Sequence, residues 1–171
     1  MKDVDAAKRA RLLLAIFLLA SALGLGGFHA LLFQHDNAAP VVDLAGYRTE
    51  AAGFRYRMEK CRSNGRKLAA IGWIVREGRD QSRRTVRVVL VEDEGGRARA
   101  LKTTLVDRED VSRDLNRQLG DVIRYRNAGF TASLDVTAAD PPLRPGTLHV
   151  AYDDGDRKVL LPIPCRMERP R

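Results

Sequence analysis

Apolar and polar positions divide the chain into two unequal parts. Residues 12–33 form an apolar run, LLLAIFLLASALGLGGFHALLF, that carries no formal charge. At about 1.5 Å per residue, a helix over this run is about 33 Å long, and a bilayer core is about 30 Å thick. The pattern therefore predicts a transmembrane helix over 12–33, followed by a region that folds separately.

From Phe54 onward the pattern changes to alternation with a period of two. Phe54, Tyr56 and Met58 alternate with charged residues, which is typical of a half-buried strand. Runs of glycine, asparagine and aspartate supply turns between this strand and later ones. Pro162 has no N–H to donate, so the last strand is expected at a sheet edge. Strands are predicted over 54–61, 68–75, 85–91, 98–106, 128–136, 147–152 and 157–163.

One short helix is predicted among these strands. Asp107 is a suitable N-cap, acidic residues follow it in the first turn, and Leu119-Gly120 marks the end. About seven strands with one short helix predict a mainly β fold, an antiparallel β-sandwich of immunoglobulin-like type. The predicted organisation is a tail (1–11), a transmembrane helix (12–33), a linker (34–52), a β-sandwich (53–167) and a tail (168–171).

The flank before the apolar run is short and basic, which predicts its orientation. It holds four cations and two acids: Lys2, Lys8, Arg9, Arg11, Asp3 and Asp5. By the positive-inside rule this end is cytoplasmic, and the main domain lies on the outer side of the membrane. A cleaved signal peptide has a similar start, and Ala22-Leu23-Gly24 would suit its cleavage site. The apolar run continues to Phe33, which favours a retained anchor, and both alternatives place the domain outside the cytoplasm.

The chain has two cysteines, Cys61 near the start of the predicted domain and Cys165 near its end. Disulfides persist outside the cytoplasm, so a Cys61–Cys165 bond is predicted, and two separate buried thiols are the alternative.

Four motifs occur in order along the domain: Gly72-Trp73, Asp107-Arg108-Glu109-Asp110-Val111, Ala128-Gly129-Phe130 and Leu143-Arg144-Pro145-Gly146-Thr147. Over roughly residues 66–165 this set resembles a small immunoglobulin-like β-sandwich module of bacterial membrane-anchored envelope proteins, some of which build surface glycans. The resemblance implies a bacterial inner-membrane protein with a periplasmic domain, and it carries over no catalytic residue.

Patterns that would support catalysis are missing from the sequence. No Gly-x-Ser-x-Gly or phosphate-binding glycine loop occurs outside the apolar run, and His29, His35 and His149 are scattered. The acidic turn around Asp153-Asp154-Gly155-Asp156 is expected to be a plain turn rather than a calcium site. Trp73 is expected in the core, with a sugar-stacking platform as the alternative. We therefore expect no enzyme activity, no catalytic residue, no metal and no cofactor.

Three features suggest binding partners. Small residues recur with a spacing of four at Ala22, Gly26 and Ala30, which would let a second membrane helix approach closely. The charged segment 107–126 is the longest departure from strands and is a possible partner surface. A basic cluster near the domain start would suit anionic headgroups or an anionic glycan: Arg55, Arg57, Arg62, Arg66 and Lys67.

Nucleic acid is not expected among the partners. The chain has 30 basic and 22 acidic side chains, a formal net charge of +8, and the two signs are mixed beyond the apolar run. The leading hypothesis is a non-enzymatic single-pass protein whose domain is an interaction or accessory module for a membrane-embedded envelope complex, through a partner protein or a second copy. The alternative is a glycan-binding module that serves envelope polysaccharide synthesis or export.

Overall fold

The computed structural model describes residues 2–80 and 83–168, which form two compact units that divide between Asp36 and Asn37. The first unit is helix α1, Lys2–Asp36. Its stretch Leu12–Asp36 has a mean hydropathy of 2.0 and buries none of its residues within the chain. This helix is long and apolar enough to cross a membrane.

The second unit is mainly β, with two antiparallel sheets. The five-stranded sheet has the order β1-β5-β4-β8-β9, and the four-stranded sheet has the order β2-β3-β7-β6. Within this unit, the α-helix α2 (Glu109–Leu119) connects β6 to the turn before β7. The described strands are β1 (Val41–Val42), β2 (Phe54–Ser63), β3 (Lys67–Arg76), β4 (Thr85–Glu92), β5 (Ala98–Ala100), β6 (Lys102–Val106), β7 (Gly129–Asp135), β8 (Gly146–Asp153) and β9 (Lys158–Met167).

One hydrophobic cluster contains residues from the inward faces of both sheets. The four-stranded sheet contributes Leu68, Ile74 and Phe130, and the five-stranded sheet contributes Leu90 and Leu148, all almost fully buried. On each strand these residues alternate with outward-facing ones, as a pleated strand requires. Six of the seven predicted strands are confirmed, all except the one over 98–106, and β9, which contains Pro162, lies at a sheet edge as expected.

Two sequence predictions in this region are wrong. The single strand over 98–106 is in fact two strands in different sheets, because the chain turns at the buried Leu101. Asp107 is not the N-cap of α2. Arg108 occupies that position without a side-chain capping bond, while Gly120 ends the helix in a left-handed conformation, as predicted.

The segment predicted as a linker, 34–52, is structured in part. It contains the end of α1 and strand β1, which pairs with β5. The Asn37 side chain accepts a hydrogen bond from the backbone N–H of Asp135 (2.7 Å). Arg99, which is 1% exposed, donates from Nε to the carbonyl of Ala39 (2.5 Å). Nothing in the sequence pattern marks Arg99 as a buried anchor. The C-terminal residues 169–171 lie outside the described part of the chain.

Gly72 allows β2 and β3 to approach unusually closely. It faces Met58, next to a β-bulge between Met58 and Lys60. A Cβ at Gly72 would lie 2.5 Å from the Arg57 carbonyl oxygen and 2.9 Å from the Phe130 ring. Glycine is therefore required at this position for packing.

Candidate functional site: a cationic sheet face

The outer face of the four-stranded sheet divides into a covered half and a bare half. Over the covered half, Val111 and Leu115 of α2 pack on Val75 of β3. Tyr125, fully buried beside them, donates from its hydroxyl to Asp121 (2.7 Å) and accepts from the N–H of Gly78 (3.1 Å). Burial and this contact with Asp121 raise the pKa of Tyr125 to about 12. The helix and its following turn are thus fixed to the sheet.

The bare half carries short polar side chains and exposed cations. Two rows of paired residues cross β2, β3, β7 and β6 in that order: Lys60, Ile71, Thr131 and Thr104 in one row, and Arg62, Ala69, Ser133 and Lys102 in the next. Lys60, Arg62 and Ser133 are exposed, whereas Ala69 and Ile71 are half-buried. The result is a shallow apolar floor with Lys60 and Arg62 at its β2 edge and Lys102 at its β6 edge.

The bulge in β2 places these cations on one face. Strict alternation from Phe54 would turn Lys60 and Arg62 toward the opposite sheet. One extra residue at the bulge reverses that parity, so both side chains point outward on the same face as Arg57. The same shift turns Cys61, which stays exposed at the sheet edge, to the side of the sheet where the buried Cys165 lies.

Five cations were predicted to contact an anionic surface, and the structure divides them. Arg55 pairs with Glu77 (2.5 Å), and Arg66 lies 3.9 Å from Asp135. Within residues 2–80 and 83–168, the other three, Arg57, Arg62 and Lys67, form no ion pair.

Lys60 is the cation that sequence reasoning missed, and it too has no ion pair with any described residue. We call Lys60, Arg62 and Lys67, with the Ala69 and Ile71 floor, the cationic face. They line a cavity of about 440 Å³ together with Asn64.

Arg108 lies at the boundary between the two halves. Its guanidinium forms two 2.8 Å hydrogen bonds to Glu59, in the bulge region of β2, and two further bonds to Asp110 (2.8 and 2.7 Å). Its side chain crosses Gly129, where a Cβ would lie 2.6 Å from the Arg108 Cγ. Hydrogen bonds from Arg108 are the main cause that lowers the pKa of Asp110 to about 2. This contact ties the start of α2 to the edge strand.

Trp73 lies on the covered half rather than in the core between the sheets. It is half-buried and packs against the cluster of Val75, Leu115 and Tyr125. Trp73 was expected in the core. It packs instead against a second hydrophobic cluster, on the outer face of the four-stranded sheet. In the part of the chain that the structure describes, no aromatic residue lines the cavity of the cationic face.

The predicted cysteine pair connects the two sheets at one edge. Cys61 on β2 and Cys165 on β9 lie within disulfide-bonding distance, with Cα atoms 5.9 Å apart. This pairing fits the predicted disulfide and leaves no free cysteine.

The acidic turn at residues 153–156 is occupied by internal contacts. Asp154 pairs with Arg76 (2.8 Å), Asp153 pairs with Lys158 (3.0 Å), and Asp156 pairs with Arg79. Among the described residues, no cluster of three or more histidine, cysteine or carboxylate groups could hold a metal. His149 is half-buried on β8, and this burial lowers its pKa.

The small-residue stripe lies within α1. Ala22, Gly26 and Ala30 are exposed in the chain, and a Cβ at Gly26 would meet no atom within 4 Å. Their role in helix packing stays a prediction.

Comparisons with family models, with curated proteins and with solved structures find no match to this chain.

Proposed function

We propose that this chain is a non-enzymatic, single-pass protein of the bacterial inner membrane. In this proposal, α1 anchors the protein and docks on a partner helix, and the domain after Asp36 is a periplasmic interaction module for a membrane-embedded envelope complex.

One observation supports this proposal above the others. The stretch Leu12–Asp36 is strongly apolar, and none of it is buried within the chain. An apolar helix of this length left uncovered in water would be strongly unfavourable, so lipid or a partner helix is its natural surrounding. The basic flank before it favours a cytoplasmic N terminus.

The strand order supports an immunoglobulin-like sandwich for the domain. Sheet β2-β3-β7-β6 corresponds to the A-B-E-D order of that fold, and β5-β4-β8-β9 corresponds to C′-C-F-G. The cysteine pair differs from the antibody pattern, since it joins the two outer strands β2 and β9 rather than central ones. Folds of this kind present binding surfaces without requiring a catalytic centre.

Carbonate extraction followed by crosslinking in cells tests the proposal. The full chain should stay in the membrane fraction, and a photo-crosslinker at Leu19, on the same helix face as Gly26, should capture a membrane protein or a second copy. Gly26→Leu should reduce this capture several-fold, because leucine prevents close helix approach. Gly24→Leu, on the opposite side of the helix, is the matched control.

Release of the chain by carbonate would contradict the anchor. Equal capture by both variants would contradict docking through the stripe, while leaving the anchor in place.

A further inference from the structure

We propose that the cationic face binds the phosphate groups of anionic lipid headgroups, so that this face of the domain contacts the membrane surface. The inference rests on the proposed membrane anchor and adds a second, electrostatic contact to it.

The charges of this face are available to an external anion. Lys60 and Arg62 are exposed and form no ion pair with any described residue; Lys67 is also exposed, and its charge acts on Asp135, its cross-strand partner, without forming an ion pair with it. Elsewhere on the domain, exposed arginines such as Arg55 and Arg166 pair with carboxylates. Anionic lipids attract clusters of unpaired basic side chains that lie within a Debye length, about 10 Å at 0.1 M salt.

The first residue of the domain, Asn37, lies near this face. Asn37 follows the last residue of α1, and its side chain accepts a hydrogen bond from the backbone of Asp135. Lys67 is the direct cross-strand partner of Asp135. Lys67 therefore lies near the first residue of the domain, and Arg62 and Lys60 line the same cavity.

The lining of the cavity favours headgroups over a glycan. Ala69 and Ile71 form an apolar floor, and no aromatic side chain of residues 2–80 and 83–168 lines the cavity for a sugar ring to stack on. The Asn64 side-chain oxygen, a possible acceptor for a sugar hydroxyl, already accepts from the backbone N–H of Lys67 (2.7 Å). Point charges around a small apolar floor suit a phosphate next to acyl chains.

Lysine accessibility in vesicles tests this proposal on the full chain. The protein is reconstituted into phosphatidylcholine vesicles, with or without 30% phosphatidylglycerol, treated with an amine-reactive reagent and analysed by mass spectrometry. Labelling of Lys60 and Lys67 is expected to slow at least about threefold in the anionic vesicles, because bound headgroups cover both amines. Lys158, paired with Asp153 on the other sheet, is the internal control and should not change.

Two further conditions sharpen the test. Salt at 1 M should abolish the protection, since the Debye length falls to about 3 Å. Arg62→Glu should also abolish it, whereas Arg87→Glu, an exposed cation of the other sheet, should not.

Equal labelling of Lys60 and Lys67 in the two vesicle types would overturn the proposal. So would protection that appears in neutral vesicles only after polygalacturonate is added, an outcome that favours a glycan ligand. Flotation of the vesicles after carbonate treatment tests the anchor separately, so failure of the anchor and failure of the face are distinguishable.

Discussion

The two halves of the four-stranded sheet's outer face use the same strands for opposite purposes. On β3, Val75 is fully buried beneath α2, whereas Ala69 and Ile71, six and four residues earlier, remain half-buried. The covered half is stabilised by apolar packing. The bare half exposes cations and hydroxyls, so it contributes little burial and leaves a surface free for binding.

The bare half has a cysteine pair at disulfide-bonding distance where the covered half has a helix. Cys61 lies on β2 between Lys60 and Arg62, and its partner Cys165 belongs to the buried cluster between the sheets. The cysteine pair can therefore hold the edge strand β2 in place on the half of the face where no helix packs. We therefore expect substitutions in the two halves to change the stability of the domain by different amounts.

The largest effect is expected from Cys61→Ser/Cys165→Ser. The cysteines are separated by 104 residues. The chain-entropy model assigns a cross-link over such a loop about 4–5 kcal/mol, an upper figure. Urea unfolding of the full chain in detergent, followed by fluorescence of Trp73, measures the loss. Reduction of the unsubstituted chain should cause the same loss of stability. An unchanged urea midpoint for both the double variant and the reduced chain would contradict a stabilising Cys61–Cys165 bond.

Leu115→Ala is expected to have the next largest effect. Leu115 is 4% exposed in the cluster beneath α2, and removing such a side chain typically costs about 2–5 kcal/mol. Trp73 fluorescence should also shift to the red as water reaches the cluster. Val122→Ala is the control, because Val122 is 94% exposed and its loss should cost less than about 0.5 kcal/mol. A small change for Leu115→Ala would mean that α2 is not held by packing.

Gly72→Ala should be moderately destabilising. The added methyl would meet the Arg57 carbonyl, which cannot move without disturbing the pairing of β2 with β3. Overpacking of this kind typically costs about 1–3 kcal/mol. Ala69→Val adds bulk to the same strand on the bare face, beside the open cavity, and should have little effect. If both variants lost similar free energy of unfolding in urea, the bare face at Ala69 would be as tightly packed as the contact between β2 and β3 at Gly72.

Much of this architecture follows from local sequence patterns. Alternation around Phe54, Tyr56 and Met58 predicts β2, and the continuous apolar run over 68–75 predicts a strand buried on both faces for part of its length. Turn residues and Gly120 mark where elements end, because these conformations depend on neighbours in the chain.

The remainder depends on contacts distant in sequence. The transfer of the chain between sheets at Leu101, and the burial of Arg99 against the Ala39 carbonyl, leave no periodic signal. The bulge beside Met58 reverses which side chains face outward, so Lys60 joined the cationic face and was not predicted to do so. A single inserted residue reverses which side chains of β2 face outward without changing the composition of the strand. The site was therefore harder to predict than the fold.

Arg108→Lys should have the smallest effect on stability and the clearest effect on titration. Lysine keeps the charge but cannot form the paired contacts that Arg108 makes with Glu59 and Asp110 at the boundary of the two halves. The Asp110 pKa, about 2 in the native chain, should rise toward its ordinary value of 3.8, as NMR titration would measure.

The sign of the linked pH dependence follows from this shift. Because folding lowers the pKa of Asp110, its contribution to stability is present above pH 3.8 and is lost as the pH falls toward 2. Exposed ion pairs contribute little, so the change in overall stability should be slight. Arg117→Lys, in the exposed Arg117–Asp114 pair of the same helix, should leave the Asp110 titration unchanged. If both variants shifted the Asp110 titration equally, the overall charge of α2 would set the Asp110 pKa. The contact with Arg108, at the boundary of the covered and bare halves, would then not be its cause.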